Sequence, residues 1–357
     1  AVSVDEAAPV KPWNAGILGF NFDWTGMQST VSNFTLTNAK WFEGTSGGLR
    51  ADDLELLRGL PINLSRMSGT SSQKISWKET LGPISERPPQ KLESWWGPYV
   101  PGYGVVEWIQ QVRALDEKAR FVWCVNLLAD PSDAADLAEF FGGDANAKGR
   151  GAIHWAAKRK ALGISKPVDI AIWELGNESD GNDAWGEYPT IQTYVDRCRA
   201  VMKAVRSVDP KARFAAQIST MNHQKGYKEK YGGEWDIWHK TVLKELGNEI
   251  EYLVYHPYFG KQKQPDTRFF EIRMDMIIKD IREITGEGRI KIFMSEYGFW
   301  PEKREGQAKW EESWYTTHAL VGCLSTADWI VRMIQSPAVE VASVHCISSG
   351  PWGLFYN

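Results

Sequence analysis

Eight short apolar runs, separated by stretches of helical periodicity, limit the architecture of this chain more than any other feature. They lie near Gly16–Phe22, Pro61–Met67, Arg120–Leu127, Val168–Leu175, Arg213–Ile218, Tyr252–His256, Lys291–Ser295 and Val341–Cys346. The runs are rich in Val, Ile, Phe and Trp. Their hydrophobicity is continuous rather than alternating, as expected of strands buried on both faces of a parallel sheet. Between them, Ile191, Tyr194, Val195, Cys198, Met202 and Val205 form a stripe of helical period, with Pro210 just beyond. Phe270, Met274, Ile277, Ile278 and Ile281 make a second stripe; Leu320, Cys323, Leu324, Ala327, Val331 and Ile334 make a third. Eight β/α alternations predict an α/β fold of the closed (β/α)8 TIM barrel type. The barrel is expected as a single domain over residues 16–357, behind an N-terminal extension at 1–15. No dinucleotide fingerprint follows the first run, which disfavours an open doubly wound sheet.

A chain of 357 residues, 43% of them hydrophobic, has the material for such a core. Its net charge of -4 supplies neither a basic field for nucleic acid nor a polybasic membrane patch. No apolar stretch approaches the ~20 residues that span a bilayer. The chain starts at Ala1 with a small-residue segment that reads as a processed tail, so a secreted or periplasmic location is expected. Cys124, Cys198, Cys323 and Cys346 are scattered, form no C-x-x-C pair, and are expected as buried free thiols. No zinc motif is present, and Asp180-Gly181-Asn182-Asp183 lacks the remaining positions of a calcium loop, so neither metal nor cofactor is expected. Gly44-Thr45-Ser46-Gly47-Gly48 fits a serine-hydrolase pattern but has no strand before it.

The chemistry concentrates at two run ends. Ile172-Trp173-Glu174-Leu175-Gly176-Asn177-Glu178 and Ile292-Phe293-Met294-Ser295-Glu296-Tyr297-Gly298 each carry an apolar run to a glutamate beside glycine. In a barrel both ends reach the C-terminal face, where active sites sit. Paired glutamates are the working parts of glycoside hydrolases: one donates a proton while the other attacks the sugar or activates water. Glu174, with three apolar neighbours, is expected to point into the barrel. Arg66, ending the second run, is placed to hold Glu296 ionised, while Glu178 keeps its proton. Asn177 sits beside Glu178, and Asn126, His256 and Tyr258 sit at other run ends, as candidate sugar ligands.

The chain also holds 18 Trp, and sugar rings stack on flat aromatic faces. Trp123, Trp173 and Trp329 lie in apolar elements and read as core. Trp95, Trp96, Trp235, Trp238, Trp300, Trp310, Trp314 and Trp352 fall in or beside long connections, near Ser68–Tyr103, Ser179–Tyr188, Thr220–Trp238 and Phe299–Trp314. Connections this long inside a compact domain are usually functional. About half of these tryptophans are expected as sugar platforms, with Trp300 and Trp352 the leading candidates.

These motifs resemble those of the clan A retaining glycoside hydrolases, and within them family 51, known for α-L-arabinofuranosidases and some endo-β-1,4-glucanases. The resemblance rests on Gly176-Asn177-Glu178 and Ser295-Glu296-Tyr297. It extends to Trp77-Lys78-Glu79-Thr80-Leu81-Gly82-Pro83, Glu86-Arg87-Pro88, Trp96-Gly97, Tyr103-Gly104-Val105 and Val125-Asn126. It implies Glu178 as acid/base, Glu296 as nucleophile, Asn177 as ligand of the sugar 2-hydroxyl, and Arg66 and Tyr258 as orienting groups. Two stretches depart from the family. Arg66-Met67-Ser68-Gly69-Thr70-Ser71 replaces Arg-x-Pro-Gly-Gly-Asn, and Asp23-Trp24 replaces a Glu-His pair that enters the sugar site. The expected function is therefore a retaining hydrolase acting on a polysaccharide or oligosaccharide, endo-acting on a β-1,4-linked glucan. The alternatives are an exo-acting α-L-arabinofuranosidase and a non-catalytic glycan-binding barrel.

Overall fold

The computed structural model describes residues 15–24, 55, 57–91, 98–99, 101–180, 188–219, 228, 232–260, 266–303, 305–347 and 352–354. Eight parallel strands close into a barrel in sequence order: β1 (Gly19–Asp23), β2 (Leu64–Ser68), β3 (Arg120–Val125), β4 (Ile170–Leu175), β5 (Phe214–Gln217), β6 (Tyr252–Val254), β7 (Lys291–Met294) and β8 (Val339–Val344). Closure is made by β1, which pairs with β2 through Gly19↔Leu64 and with β8 through Gly19↔Ser343. The expected extension at 1–15 lies outside the described residues except for Ala15, which opens a 3-10 turn, Ala15–Ile17. The Gly44–Gly48 pattern, Trp95 and Trp96 also lie outside them.

Because strand side chains alternate, each strand turns one set of residues to the barrel axis and the other to the helices. Leu64, Val122, Ile172, Ala215, Tyr252, Val254, Phe293 and Val341 form one buried apolar cluster, drawn from seven strands, that fills the lower barrel. Two residues further along, with the same inward parity, come Asn21, Arg66, Cys124, Glu174, Gln217, His256, Ser295 and Ser343, all buried. The interior thus changes from apolar to polar within one layer. Hydrogen bonds across the axis, such as Ser295 Oγ to Glu174 Oε1 at 2.7 Å, place these groups inside the barrel rather than on its rim.

The outward parity packs against seven helices among the described residues: α1 (Val105–Leu115), α2 (Pro131–Gly142), α3 (Trp155–Ala161), α4 (Ile191–Arg206), α5 (Ile237–Leu246), α6 (Arg268–Thr285) and α7 (Leu320–Gln335). Trp123 and Trp173 meet Phe141 of α2 edge-on, at ring distances of 5.4 and 6.0 Å. Helix starts are set locally. Asp130 accepts from the Ser132 N–H ahead of Pro131 in α2, and Thr190 accepts from the Thr193 N–H in α4. No helix among the described residues is long and apolar enough to cross a membrane.

The third expected core stripe is overturned. Leu320, Cys323, Leu324, Ala327, Val331 and Ile334 all face solvent, and the buried side of α7 is Gly322, Ser325, Trp329 and Met333. Trp329 fills the inner face, with rings of Tyr255, Phe259 and Phe270 within 6.4 Å. Gly322 lets the helix approach the preceding turn so closely that a Cβ there would meet the Thr317 carbonyl at 2.2 Å. Cys323 is therefore an exposed thiol, whereas Cys124, Cys198 and Cys346 are buried, and all four are free.

Candidate active site

The two glutamates stand just past barrel strand ends, Glu178 after β4 and Glu296 after β7. β4 stops at Leu175 because Gly176 adopts φ +79, and a Cβ there would meet the Ser179 hydroxyl at 2.5 Å. Two residues on, Glu178 has φ 45, the one positive value outside glycine among the described residues. Such a conformation persists only where its surroundings enforce it. Here the Glu178 N–H donates to Gln217 Oε1, while Gln217 Nε2 donates to the Gly176 carbonyl at 2.9 Å. On the other side, β6 and β7 continue past Pro257 and Glu296 as a short parallel pair, Tyr258–Phe259 with Gly298–Phe299, which sets Tyr258 beside Glu296.

The centre of the network is Arg66, fully buried on β2. Its Nε and Nη2 form a fork on Glu174 at 2.5 and 2.9 Å. Nη1 donates to Glu296 Oε1 at 2.7 Å and Asn21 Oδ1 at 2.9 Å, and Nη2 also reaches Asn177 Oδ1 at 2.7 Å. Burial disfavours the guanidinium charge, but the Glu174 and Glu296 carboxylates outweigh it and raise its pKa. Asn177 uses its Nδ2 to donate to Thr70 Oγ1, so the amide is held at both ends.

Glu296 is gripped on both oxygens, since Tyr258 donates its hydroxyl to Oε2 at 2.6 Å. His256 Nδ1 and His345 Nδ1 each lie 3.9 Å from that oxygen. Burial acts to raise the pKa of Glu296; the fields of His345, His256 and Arg66, with the Tyr258 hydrogen bond, overcome it and hold the carboxyl well below the usual range. Burial and the neighbouring Glu296 charge push the Tyr258 phenol up, so it stays a donor. His256 also reaches Glu178, with Nδ1 to Oε1 at 3.1 Å. Burial lowers the pKa of this imidazole, yet the charges of Glu296 and Glu178 leave it raised. Glu178, Glu296 and His256 each present an atom within 4.8 Å of the others, the one such grouping of potential cation ligands among the described residues. Those atoms are engaged with one another and with Tyr258.

Beside Tyr258 stands an aromatic wall. Trp300 stacks on Trp310 at 5.6 Å and 26°, Trp352 lies 5.1 Å from Trp300, and both Trp300 and Trp352 are 5.9 Å from the Tyr258 ring. Trp300 is 42% exposed and is more open to solvent than Trp310 or Trp352. Trp238 and Trp314, expected as possible platforms, are core instead, and Trp235 packs on the Arg273 guanidinium at 5.0 Å.

Of the residues singled out from the sequence, Glu178, Glu296, Asn177, Arg66, His256 and Tyr258 meet in one hydrogen-bonded set, with Trp300 and Trp352 on its flank. Asn126 follows β3, half-buried, and its Oδ1 accepts from the Leu128 N–H, so the amide oxygen serves the turn. Asp23 ends β1 in register with Ser68, and its side chain lies outside the described part. Sequence reading missed Asn21, Gln217, Ser295 and His345. The first three are single polar residues within or at the end of apolar runs. His345 follows β8, is mostly buried, and its Nδ1 has no hydrogen-bond partner among the described residues.

The profile of the alpha-L-arabinofuranosidase 1 domain family matches residues 63–263, more than half of the chain. The intracellular exo-α-(1→5)-L-arabinofuranosidase of Streptomyces lividans is 27% identical over 231 residues, covering 64% of this chain and 33% of that protein. The enzyme of the same name from Acetivibrio thermocellus is 26% identical over 240 residues, covering 66% and 44%. This chain thus spans a third to under half of the length of these curated relatives. A thermostable family 51 α-L-arabinofuranosidase from Thermotoga petrophila shares the fold, with a TM-score of 0.74 at 20% identity over 95% of this chain and 66% of that one. With the profile running from the start of β2 past Tyr258 and the barrel common to both structures, the chain belongs to the alpha-L-arabinofuranosidase 1 domain family.

Proposed function

We propose that this protein is a retaining glycoside hydrolase that releases terminal α-L-arabinofuranosyl residues from a polysaccharide or oligosaccharide. The observation that carries the reading is the Glu296 carboxylate, fixed on both oxygens and within 4.8 Å of a Glu178 oxygen. Retaining pairs stand about 5–5.5 Å apart and inverting pairs about 6.5–9.5 Å, because the latter must admit a water between them. In the first step a Glu296 oxygen attacks the anomeric carbon as the glycosidic C–O bond breaks, and the departing oxygen takes the Glu178 proton. In the second, the Glu178 carboxylate removes a proton from water, whose oxygen displaces Glu296 and returns both groups to their starting states.

The named activities of the relatives favour exo-acting arabinofuranosidase over the endo-acting β-1,4-glucanase expected from the altered Ser68–Ser71 and Asp23–Trp24 stretches. The test is incubation with 4-nitrophenyl α-L-arabinofuranoside, arabinan and mixed-linkage β-glucan, with products sized and their initial anomeric configuration followed by NMR. Free arabinose of retained configuration supports the reading. Shortened glucan with no arabinose from either furanoside substrate reverses it.

A further inference from the structure

Glu174 and Ser295 lie behind the two catalytic carboxylates, touch neither of the reacting atoms, and are part of one chain of hydrogen bonds. Glu174 Oε1 receives Arg66 Nη2 and Gln217 Nε2 at 2.9 Å each and Ser295 Oγ at 2.7 Å. The same Ser295 oxygen lies 2.6 Å from His256 Nε2, whose Nδ1 faces Glu178. A carboxylate accepts hydrogen bonds and donates none. Were the Ser295 proton turned toward His256, two oxygens would confront each other at 2.7 Å in a fully buried site with no hydrogen between them. The hydroxyl therefore donates to Glu174, its lone pair accepts from His256, and Nε2 must carry a proton. The other ring nitrogen is then left to exchange a single proton with Glu178 across 3.1 Å.

We propose that Ser295, anchored by Glu174, is a positioning residue for the acid/base step: it fixes the tautomer of His256 so that Nδ1 is the atom that shares a proton with Glu178. This rests on the assignment of Glu178 as acid/base made above. Among the described residues, the charged groups facing the imidazole are Glu178 and Glu174 from β4 and its end, Glu296 after β7, and Arg66 from β2. All four are accounted for in the network, so the proton moves between His256 and Glu178 while the Ser295–Glu174 side stays unchanged. No net oxidation or covalent change is involved. With the carboxyl protonated, Nδ1 accepts from it; with the imidazole charged, Nδ1 donates to the carboxylate.

Two measurements on Ser295→Ala test the relay. The first is the ring nitrogen spectrum of 15N-labelled protein, with His256 assigned by comparison with His256→Gln. In the wild type Nε2 should hold its proton across the titration while Nδ1 changes; in Ser295→Ala the neutral ring should shift toward the Nδ1–H form. A neutral wild-type ring protonated at Nδ1, or a tautomer unmoved by the substitution, overturns the proposal. The second is leaving-group dependence. Proton donation by a positioned acid contributes about 10²–10⁴-fold and matters most for poor leaving groups. Ser295→Ala should lower kcat/KM on an alkyl arabinofuranoside at least about tenfold more than on the 2,4-dinitrophenyl compound. Equal losses on the two substrates overturn the positioning role. Should the wild type cleave no furanoside, the functional reading fails, while the nitrogen spectrum still decides the tautomer.

Discussion

Replacing Arg66 by Lys separates the geometry of the buried cation from its charge. Arg66 uses all five N–H groups, on both oxygens of Glu174, on Glu296 Oε1, Asn177 Oδ1 and Asn21 Oδ1. An ammonium has three donors on a single atom, so at least two of the five bonds are lost; Glu174 Oε1 keeps Gln217 Nε2 and Ser295 Oγ, so at least one buried acceptor is left unmet. Each buried acceptor left unmet costs about 1–3 kcal/mol, which places Arg66→Lys at least that far below the wild type. Arg66→Met removes the cation as well and leaves Glu174 and Glu296 without a counter-charge, a class of change worth about 3–5 kcal/mol before the lost hydrogen bonds are added. Urea unfolding followed by tryptophan fluorescence should order the midpoints wild type, Arg66→Lys, Arg66→Met, with unchanged slopes. An Arg66→Lys protein within about 0.5 kcal/mol of the wild type, well short of the cost of one lost acceptor, would refute the view that five-fold donation holds the site. So would a Met variant as stable as the Lys variant.

Tyr258→Phe removes the one donor among the described residues within hydrogen-bond range of Glu296 Oε2, and steady-state kinetics should show kcat/KM reduced about ten- to hundredfold; an unchanged value refutes the orienting role. Trp300→Ala removes a solvent-exposed indole beside the site, so KM for arabino-oligosaccharides should rise about tenfold with kcat within about twofold, and a kcat loss with constant KM would contradict a platform role. On the outer layer, burial raises the Asp280 pKa, but the His239 hydrogen bond and charge, with Lys240, leave it lowered. A depressed carboxyl contributes stability that is full above its unfolded value and lost as pH falls through the folded one. Chemical denaturation should therefore show the wild type losing more stability than Asp280→Asn below about pH 4, and parallel profiles would remove the pair from the account.

All eight barrel strands were legible because a strand buried on both faces needs an unbroken apolar run. Their ends were less so. The sixth run reads to His256 in sequence, yet its ladder stops at Val254. Glu178, Glu296, Arg66 and Tyr258 stood out because each ends or follows an apolar run beside glycine, proline or polar residues. Ser295, Gln217 and Asn21 did not, because one polar residue on a strand looks alike whether it meets water or a carboxylate across the axis. Glu174 was placed inside the barrel correctly, but nothing in its neighbours names Arg66 as its partner. The α7 stripe misled for a different reason. Counting apolar residues favours the wider face, whereas one indole at Trp329 and the small Gly322 and Ser325 determine which side fits the barrel.

The apolar plug formed by Leu64, Val122, Ile172, Ala215, Tyr252, Val254, Phe293 and Val341 has a bearing on traffic. With the lower barrel filled by these side chains, the pocket is a cul-de-sac. In the proposed mechanism a departing alcohol and an incoming water then both pass the strand-end face, and they compete for the same covalent sugar. Whether that sugar is hydrolysed or passed to a second hydroxyl compound then depends on what lines the doorway, so grafting connections around an unaltered strand scaffold is the route by which such a catalyst would be turned from degrading glycans to building them.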